Sequence, residues 1–280
     1  MIRALDGQNP ACRQAERAFL AAAEAQPLPG AELASAWYAF GKGQARGAGG
    51  WHFFAAGPDE KPFALALRGG AAWACGVHDP EEWGAFLRYA NVRRLTLRAG
   101  GPPPQGFAPT GQMRGFCLPV RPHTPAPPPL PAGLETAGPL ADFLLREGTF
   151  SEDAPAAQNS PDSAPNAGRQ AAALFARELD ARAAVGLGHA ALLISPAGQP
   201  AAGLAALTGV HGRAVSLAAV QVRSGLRGRG LGGWLVQTAA AIAHHGGSAL
   251  WLLCIPQRAG FYARLGFLPQ GDWFCLAPGP

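Results

Sequence analysis

The stretch Val220–His245, VQVRSGLRGRGLGGWLVQTAAAIAHH, decides how the rest of this sequence is read. Val220 to Val222 end an apolar run of strand character, Arg223 to Gly230 form a turn of arginine and glycine, and Leu231 to His245 repeat apolar residues at helical spacing. Successive glycines let backbone amides converge on an anion, and the helix that follows adds free N–H groups and a partial positive charge. A pyrophosphate suits such a cradle. Gly228, Gly230 and Gly233 also satisfy G-x-G-x-x-G. That dinucleotide pattern requires an acid about twenty residues on, where this chain reads SALWLLC. A P-loop fails because no Gly-Lys-Ser/Thr closes the turn.

The surrounding charge agrees with an anion site. From Ala181 through Gly271 there is no Asp or Glu, while Arg182, Arg213, Arg223, Arg227, Arg229, Arg258 and Arg264 all fall inside. The chain of 280 residues carries a formal +5, so the excess sits in this segment and the remainder is slightly acidic. Guanidinium groups without carboxylates to neutralise them suit a polyanion such as phosphate. The same absence leaves the segment without paired carboxylates for acid–base work or acidic metal ligands.

Downstream lie a strand, SALWLLCI, a short helix, PQRAGFYARLG, and a closing strand near DWFCLA. Upstream, HAALLIS, AAGLAALTG and AVSLAAVQV are strand-like runs whose short connections imply an antiparallel meander. Before them QAAALFARELDARAAVG reads as a helix, TFSEDAPAAQNSPDSAPNAGR as a long loop and GLETAGPLADFLLREG as another helix. The prolines of HTPAPPPLPAG exclude a central strand or a helix interior and place a domain boundary, dividing the chain into residues 1–125 and 126–280. In the first part WHFFAA, PFALAL, AAWACGV and RRLTLRA read as strands. Between the last two, DPEEWGAFLRYA reads as a helix: Asp79 caps it, Pro80 opens it, and Glu81 and Glu82 favour the positive end of its dipole.

Arg227, Gly230 and Gly232 also meet the pattern Q/R-x-x-G-x-G/A, and there the sequence resembles the GCN5-related N-acetyltransferase (GNAT) family. The order that follows, a helix, a buried strand, FYARLGF and a last strand after GFLPQGDW, is similar to that family through the C-terminus. The resemblance implies an α/β (α+β) GNAT fold with a mixed, mostly antiparallel sheet and flanking helices. The amino-terminal order, with EEWGAFLRY before RRLTL, resembles a degenerate GNAT-like half without the glycine motif, implying a smaller preceding α/β domain that binds no CoA. In the family the fourth strand splays from the fifth and the pantetheine arm lies in the gap. By resemblance, Val220 and Val222 offer backbone groups to pantetheine, while Arg227, Gly228, Arg229, Gly230, Leu231 and Gly232 wrap the phosphates. The Val222 amide would serve as oxyanion donor, and Tyr262 matches a tyrosine that the family often places near the CoA sulfur as general acid. The acid that many members carry on the fourth strand is missing from AVSLAAVQV. Glu178, Asp180, His189, His211 and Asp272 lie elsewhere, and position singles out none of them as the base.

Several residues also have bland readings. Tyr262 could pack beside Phe261 and Phe267, His244 and His245 cap a helix, Cys254 is core, and Trp51 and Trp73 either pack or line an acceptor pocket. With 48% apolar and 15% charged residues the chain is neither a solvated disordered tail nor a membrane bundle. Cys12, Cys75, Cys117, Cys254 and Cys275 lack CxxC spacing and read as reduced thiols, which with the charged amino terminus points to a cytoplasmic protein. The expected activity is transfer of an acetyl group from acetyl-CoA to a small-molecule or peptide amine within a ternary complex. No metal, nucleic-acid or membrane partner is expected, and a homodimer is one possible assembly. A catalytically silent acyl-CoA sensor or scaffold is the alternative raised by the missing carboxylate, and a basic RNA-binding segment is the third class.

Overall fold

The computed structural model describes residues 2–43, 50–56, 62–76, 79–120, 126–137, 164–195, 197–208 and 214–279. Their strands, in chain order, are β1 (Arg3–Ala4), β2 (His52–Ala56), β3 (Phe63–Arg68), β4 (Ala71–Cys75), β5 (Arg94–Arg98) and β6 (Phe107–Leu118). Then come β7 (Glu135–Ala137), β8 (Gly188–Ile194), β9 (Pro200–Thr208), β10 (Ala214–Val222), β11 (Ala249–Cys254) and β12 (Leu268–Pro278). All belong to one sheet, ordered β1-β2-β3-β4-β5-β12-β6-β11-β10-β9-β8-β7. Pairing is parallel between β4 and β5 and between β10 and β11, and antiparallel elsewhere, which is the mixed, mostly antiparallel sheet that the resemblance implied.

The helices are α1 (Arg13–Ala25), α2 (Pro27–Ala36), α3 (Pro80–Tyr89), α4 (Ala164–Ala184), α5 (Leu231–His245) and α6 (Ala259–Arg264). In α5 the apolar spacing buries Leu231, Leu235 and Val236 against Leu204, Leu217, Leu250 and Leu252 of the sheet. Each such leucine contributes about 1.5–3 kcal/mol. The alternate residues of β9, Ala205 and Leu207, face the other way and pack on Leu179 of α4. Two parallel crossovers therefore repeat along the sheet, β4–α3–β5 and β10–α5–β11.

The two repeats are joined by an exchange of strands. The last strand, β12, lies between β5 and β6, and β6 lies between β12 and β11. β12 pairs with β5 from Trp273↔Arg98 to Leu276↔Leu95, while β6 pairs with β11 from Leu118↔Leu250 to Arg114↔Cys254. Phe107–Leu118 carries no clear strand signal in the sequence, because Pro109 and two glycines weaken it. Pro109 is tolerated because the β12 register shifts between Cys275 and Leu276. Gly115 leaves room for the Trp273 indole, which a Cβ there would meet at 2.1 Å.

Other local readings change. Glu135–Ala137, read as the start of a helix, is an edge strand paired with β8, and the remainder of that reading lies outside the described residues. Helix α4 begins at Ala164, inside the stretch read as loop, and the rest of that loop is likewise not described. α1 was legible, with Ala18, Phe19, Ala22 and Ala23 on its buried face, yet α1 and α2 both went unassigned.

Arg182, counted among the anion-binding arginines from sequence, is instead withdrawn into the interior at 1% exposure. It pairs with Glu32 of α2 and with Glu178 one turn away in α4, at 3.6 Å. Glu178 also accepts from Arg68 Nε at 2.7 Å and from Trp51 Nε1 at 2.8 Å. Burial pushes the Glu178 carboxyl above its ordinary range while Arg68 and Arg182 pull it back down. This network ties α4 to the amino-terminal half. Trp51 stacks within it between Phe40 and Phe53 and touches Trp73, so both tryptophans pack.

Candidate functional site

The parallel pairing of β10 with β11 runs from Ala214↔Ala249 to Leu217↔Leu252 and then stops. A bulge between Leu217 and Ala219 bends β10, which stays paired with β9 as far as Val222↔Ala202. β11 itself ends two residues further on, at Cys254, so on that side the edge of Val220 to Val222 has no ladder partner. The ladder ends where the resemblance implied a splay. Unpaired backbone groups along such an edge can take an extended amide chain as a further strand would. Val220 and Val222 are half-buried and pack toward the α5 core, and Gln221 between them is buried.

The turn that follows shapes the cradle. Ser224–Leu226 make one 3-10 turn, and Arg227 Nε donates to the Val222 carbonyl at 3.2 Å, pinning the turn to the strand end. Gly228 and Gly230 have φ of +78° and +82°. A Cβ at either would meet nothing within 4 Å, so what glycine supplies here is the left-handed backbone. Gly230 caps α5 without a side chain, and no acid lies in the first turn. The N–H groups at the start of the helix therefore have no capping side chain, and the dipole there favours an anion. A Cβ on Gly232 would lie 3.5 Å from Val222 and 3.6 Å from Phe261, so strand end, helix start and α6 converge there.

Arg227 and Arg229 are exposed on the turn, and Arg223 donates to Gln199 Oε1 at 3.0 Å. Arg258 takes the N-cap position of α6 and Arg264 is its last residue, and Arg213 lies outside the described residues. The sequence reading missed one contact of this site: Trp234 Nε1 donates to the Pro129 carbonyl at 2.7 Å. The proline run read only as a boundary is thereby fastened to the first turn of α5.

Tyr262 is 8% exposed and packs on Phe116, Phe261 and Phe267 with ring centroids 6.5, 5.0 and 5.7 Å away. Burial pushes its hydroxyl up to about 12, the nearby Cys254 adds to the rise, and Arg258 opposes it. The phenol is protonated at neutral pH, as a tyrosine of ordinary pKa also is, and the rise makes it a weaker acid. These ring contacts bear out the packing reading.

Among the residues considered as a base, Glu178 is occupied by the buried network. Asp180 is exposed on α4, His189 lies on β8, Asp272 is half-buried on β12 opposite Arg114, and His211 lies outside the described residues. None of the described four is on β10 or β11. His244 is buried at the end of α5 with Nε2 3.3 Å from the Leu118 carbonyl, away from the cradle. Cys254 closes β11 within the core, its thiol pushed up by burial.

Residues 156–267 match the family model described as the acetyltransferase (GNAT) family. A tandem GNAT protein from the clavulanic acid biosynthesis pathway, solved without AcCoA, is 15% identical with a TM-score of 0.61, covering 100% of this chain and 99% of that one. A GCN5-related N-acetyltransferase from Sphaerobacter thermophilus is 16% identical with a TM-score of 0.51, covering 100% and 96%. The N-myristoyltransferase of Saccharomyces cerevisiae with bound myristoyl-CoA is 12% identical with a TM-score of 0.52, covering 99% and 78%. At these identities the structures speak for the fold alone. No curated protein matches the sequence.

Proposed function

We propose that this chain, an acyltransferase carrying a GNAT domain at residues 156–267 in a tandem GNAT fold, moves an acetyl group from acetyl-CoA to an amine. The observation that supports this reading best is the opening of β10 from β11 beside an uncapped α5 that follows two left-handed glycines. A gap for an extended amide arm and an amide cradle for a pyrophosphate lie end to end, matching the two chemical parts of a CoA ester. Bound there, acetyl-CoA supplies an activated thioester.

Edge groups of Val220 and Val222 hold the arm in the gap. Gly228, Arg229, Gly230, Leu231 and Gly232 surround the phosphates, and Arg227 braces the turn through the Val222 carbonyl. The Val222 N–H stabilises negative charge on the carbonyl oxygen as the amine attacks directly in a ternary complex. Tyr262, protonated at neutral pH, gives its proton to the departing thiolate. With no acid on β10 or β11, the amine enters neutral or loses its proton through water. The acceptor is a small molecule or a peptide amine, and the reaction uses no metal, nucleic acid or membrane. We place it in the cytoplasm, and a homodimer is compatible with it. Among the described residues no helix is long and apolar enough to cross a membrane.

The absent carboxylate favours one second reading, a silent acyl-CoA sensor or scaffold. Calorimetry with acetyl-CoA and free CoA, run beside thiol release with a panel of amines, separates the two. Binding with release on one amine class establishes the enzyme, binding without release favours the sensor, and no binding overturns both.

A further inference from the structure

The amino-terminal crossover has an opening of its own. Parallel pairing of β4 with β5 runs from Ala71↔Arg94 to Trp73↔Thr96 and stops, although β4 continues to Cys75 and β5 to Arg98. At that point lies a cleft of about 260 Å³ lined by Gln26, Gly76, Trp83, Leu97, Arg98 and the stretch from Ala99 to Pro102. It occupies the carboxyl ends of two parallel strands beside their crossover helix, the place where open α/β sheets bind ligands.

Its chemistry differs from that of the carboxy-terminal gap. Helix α3 begins at Pro80 under Asp79, whose carboxylate accepts from the N–H groups of Glu81 at 3.0 Å and Glu82 at 2.8 Å. The helix start is occupied and negative, so a phosphate tail has no cradle there. Within the cleft the balance reverses: among the described residues no carboxylate lines it, and Arg98 supplies a cation. Arg98 lies over the Trp273 ring at 5.5 Å and donates only a long bond, 3.3 Å, to the Gln270 carbonyl. Trp83 is 2% exposed, and its indole Nε1 has no acceptor among the described residues. A buried donor without a partner costs stability, which a ligand oxygen seated beside Trp83 would recover.

We propose that this cleft binds a small carboxylate-bearing molecule, one oxygen taken by the Trp83 indole N–H and the charge met by Arg98. Taking about 30 Å³ for each water in the liquid, the cleft has room for a compact acid and none for a CoA ester. The proposal does not depend on the acyl-transfer reading.

Indole ¹H–¹⁵N spectra of the full chain test it, with sodium acetate and sodium succinate as probes and sodium chloride as control. Trp83→Phe assigns the resonance. We expect a saturable shift of the Trp83 signal at millimolar probe, and Arg98→Met weakens it about tenfold or more, the value of a charged hydrogen bond. Gly230→Val, which removes the carboxy-terminal cradle, leaves the shift unchanged. No saturable shift, an equal shift with chloride, or a shift that survives Arg98→Met overturns the proposal. Should Trp83→Phe fail to fold, loss of binding in Arg98→Met, whose side chain lies at the surface, decides the question alone.

Discussion

The crossovers β4–α3–β5 and β10–α5–β11 repeat one topology at opposite ends of the strand exchange, and they part company within one turn of helix. Both open a gap where parallel pairing stops, after Trp73↔Thr96 in one and Leu217↔Leu252 in the other. Both place a tryptophan at the fourth helical residue, Trp83 and Trp234. In the first, an Asp79 cap and two acids fill the helix start. In the second, left-handed Gly230 leaves it bare and Arg227 and Arg229 stand beside it. The gap follows from topology, whereas its ligand is chosen by the few residues that open the helix.

The largest expected effect breaks the frame that holds the two crossovers together. Glu178→Ala leaves Arg68 and Arg182 without their shared carboxylate and should cost about 3–5 kcal/mol, measured by urea denaturation. An unchanged midpoint would show the joint to be superfluous.

Next in size, Tyr262→Phe should lower kcat about a hundredfold while acetyl-CoA affinity in calorimetry stays close to the parent. Because the folded pKa of Tyr262 is raised to about 12 from 10.0, its stabilising contribution is complete below pH 10 and is lost as pH rises from 10 through 12. Thermal melts across that window should fall more steeply for the parent than for Tyr262→Phe. Equal kcat values would leave the tyrosine as packing alone.

Gly230→Val forces a β-branched residue into φ +82°, a strain of about 1–3 kcal/mol, so acyl-CoA affinity should drop roughly tenfold to a hundredfold. The matching change in the other crossover, Asp79→Ala, should cost about 1 kcal/mol of stability by loss of its cap and leave acyl-CoA affinity untouched. If the second variant lost affinity and the first did not, the assignment of the two gaps would be reversed.

Much of this was legible because it is local. Gly228 and Gly230 announce left-handed backbone, Asp79-Pro80-Glu81-Glu82 announces a capped helix, and the meander of β8, β9 and β10 follows from apolar runs with short turns. Other features carried no local mark. β6 hides behind Pro109 and Gly115, and only the facing register of β12 makes room for them. Arg182 looks like any member of a basic segment until Glu32 arrives from residues far away in sequence.

The sequence by itself determined the features that favour an anion, since left-handed glycines, an uncapped helix start and a run without acids are all properties of neighbouring residues. Tertiary structure alone decided where that turn sits, how β6 and β12 are shared between the two halves, which arginine is buried, and that the Tyr262 hydroxyl is pushed above its ordinary value. Those outcomes depend on burial and on pairing between residues distant along the chain, and neither quantity exists until the chain has folded.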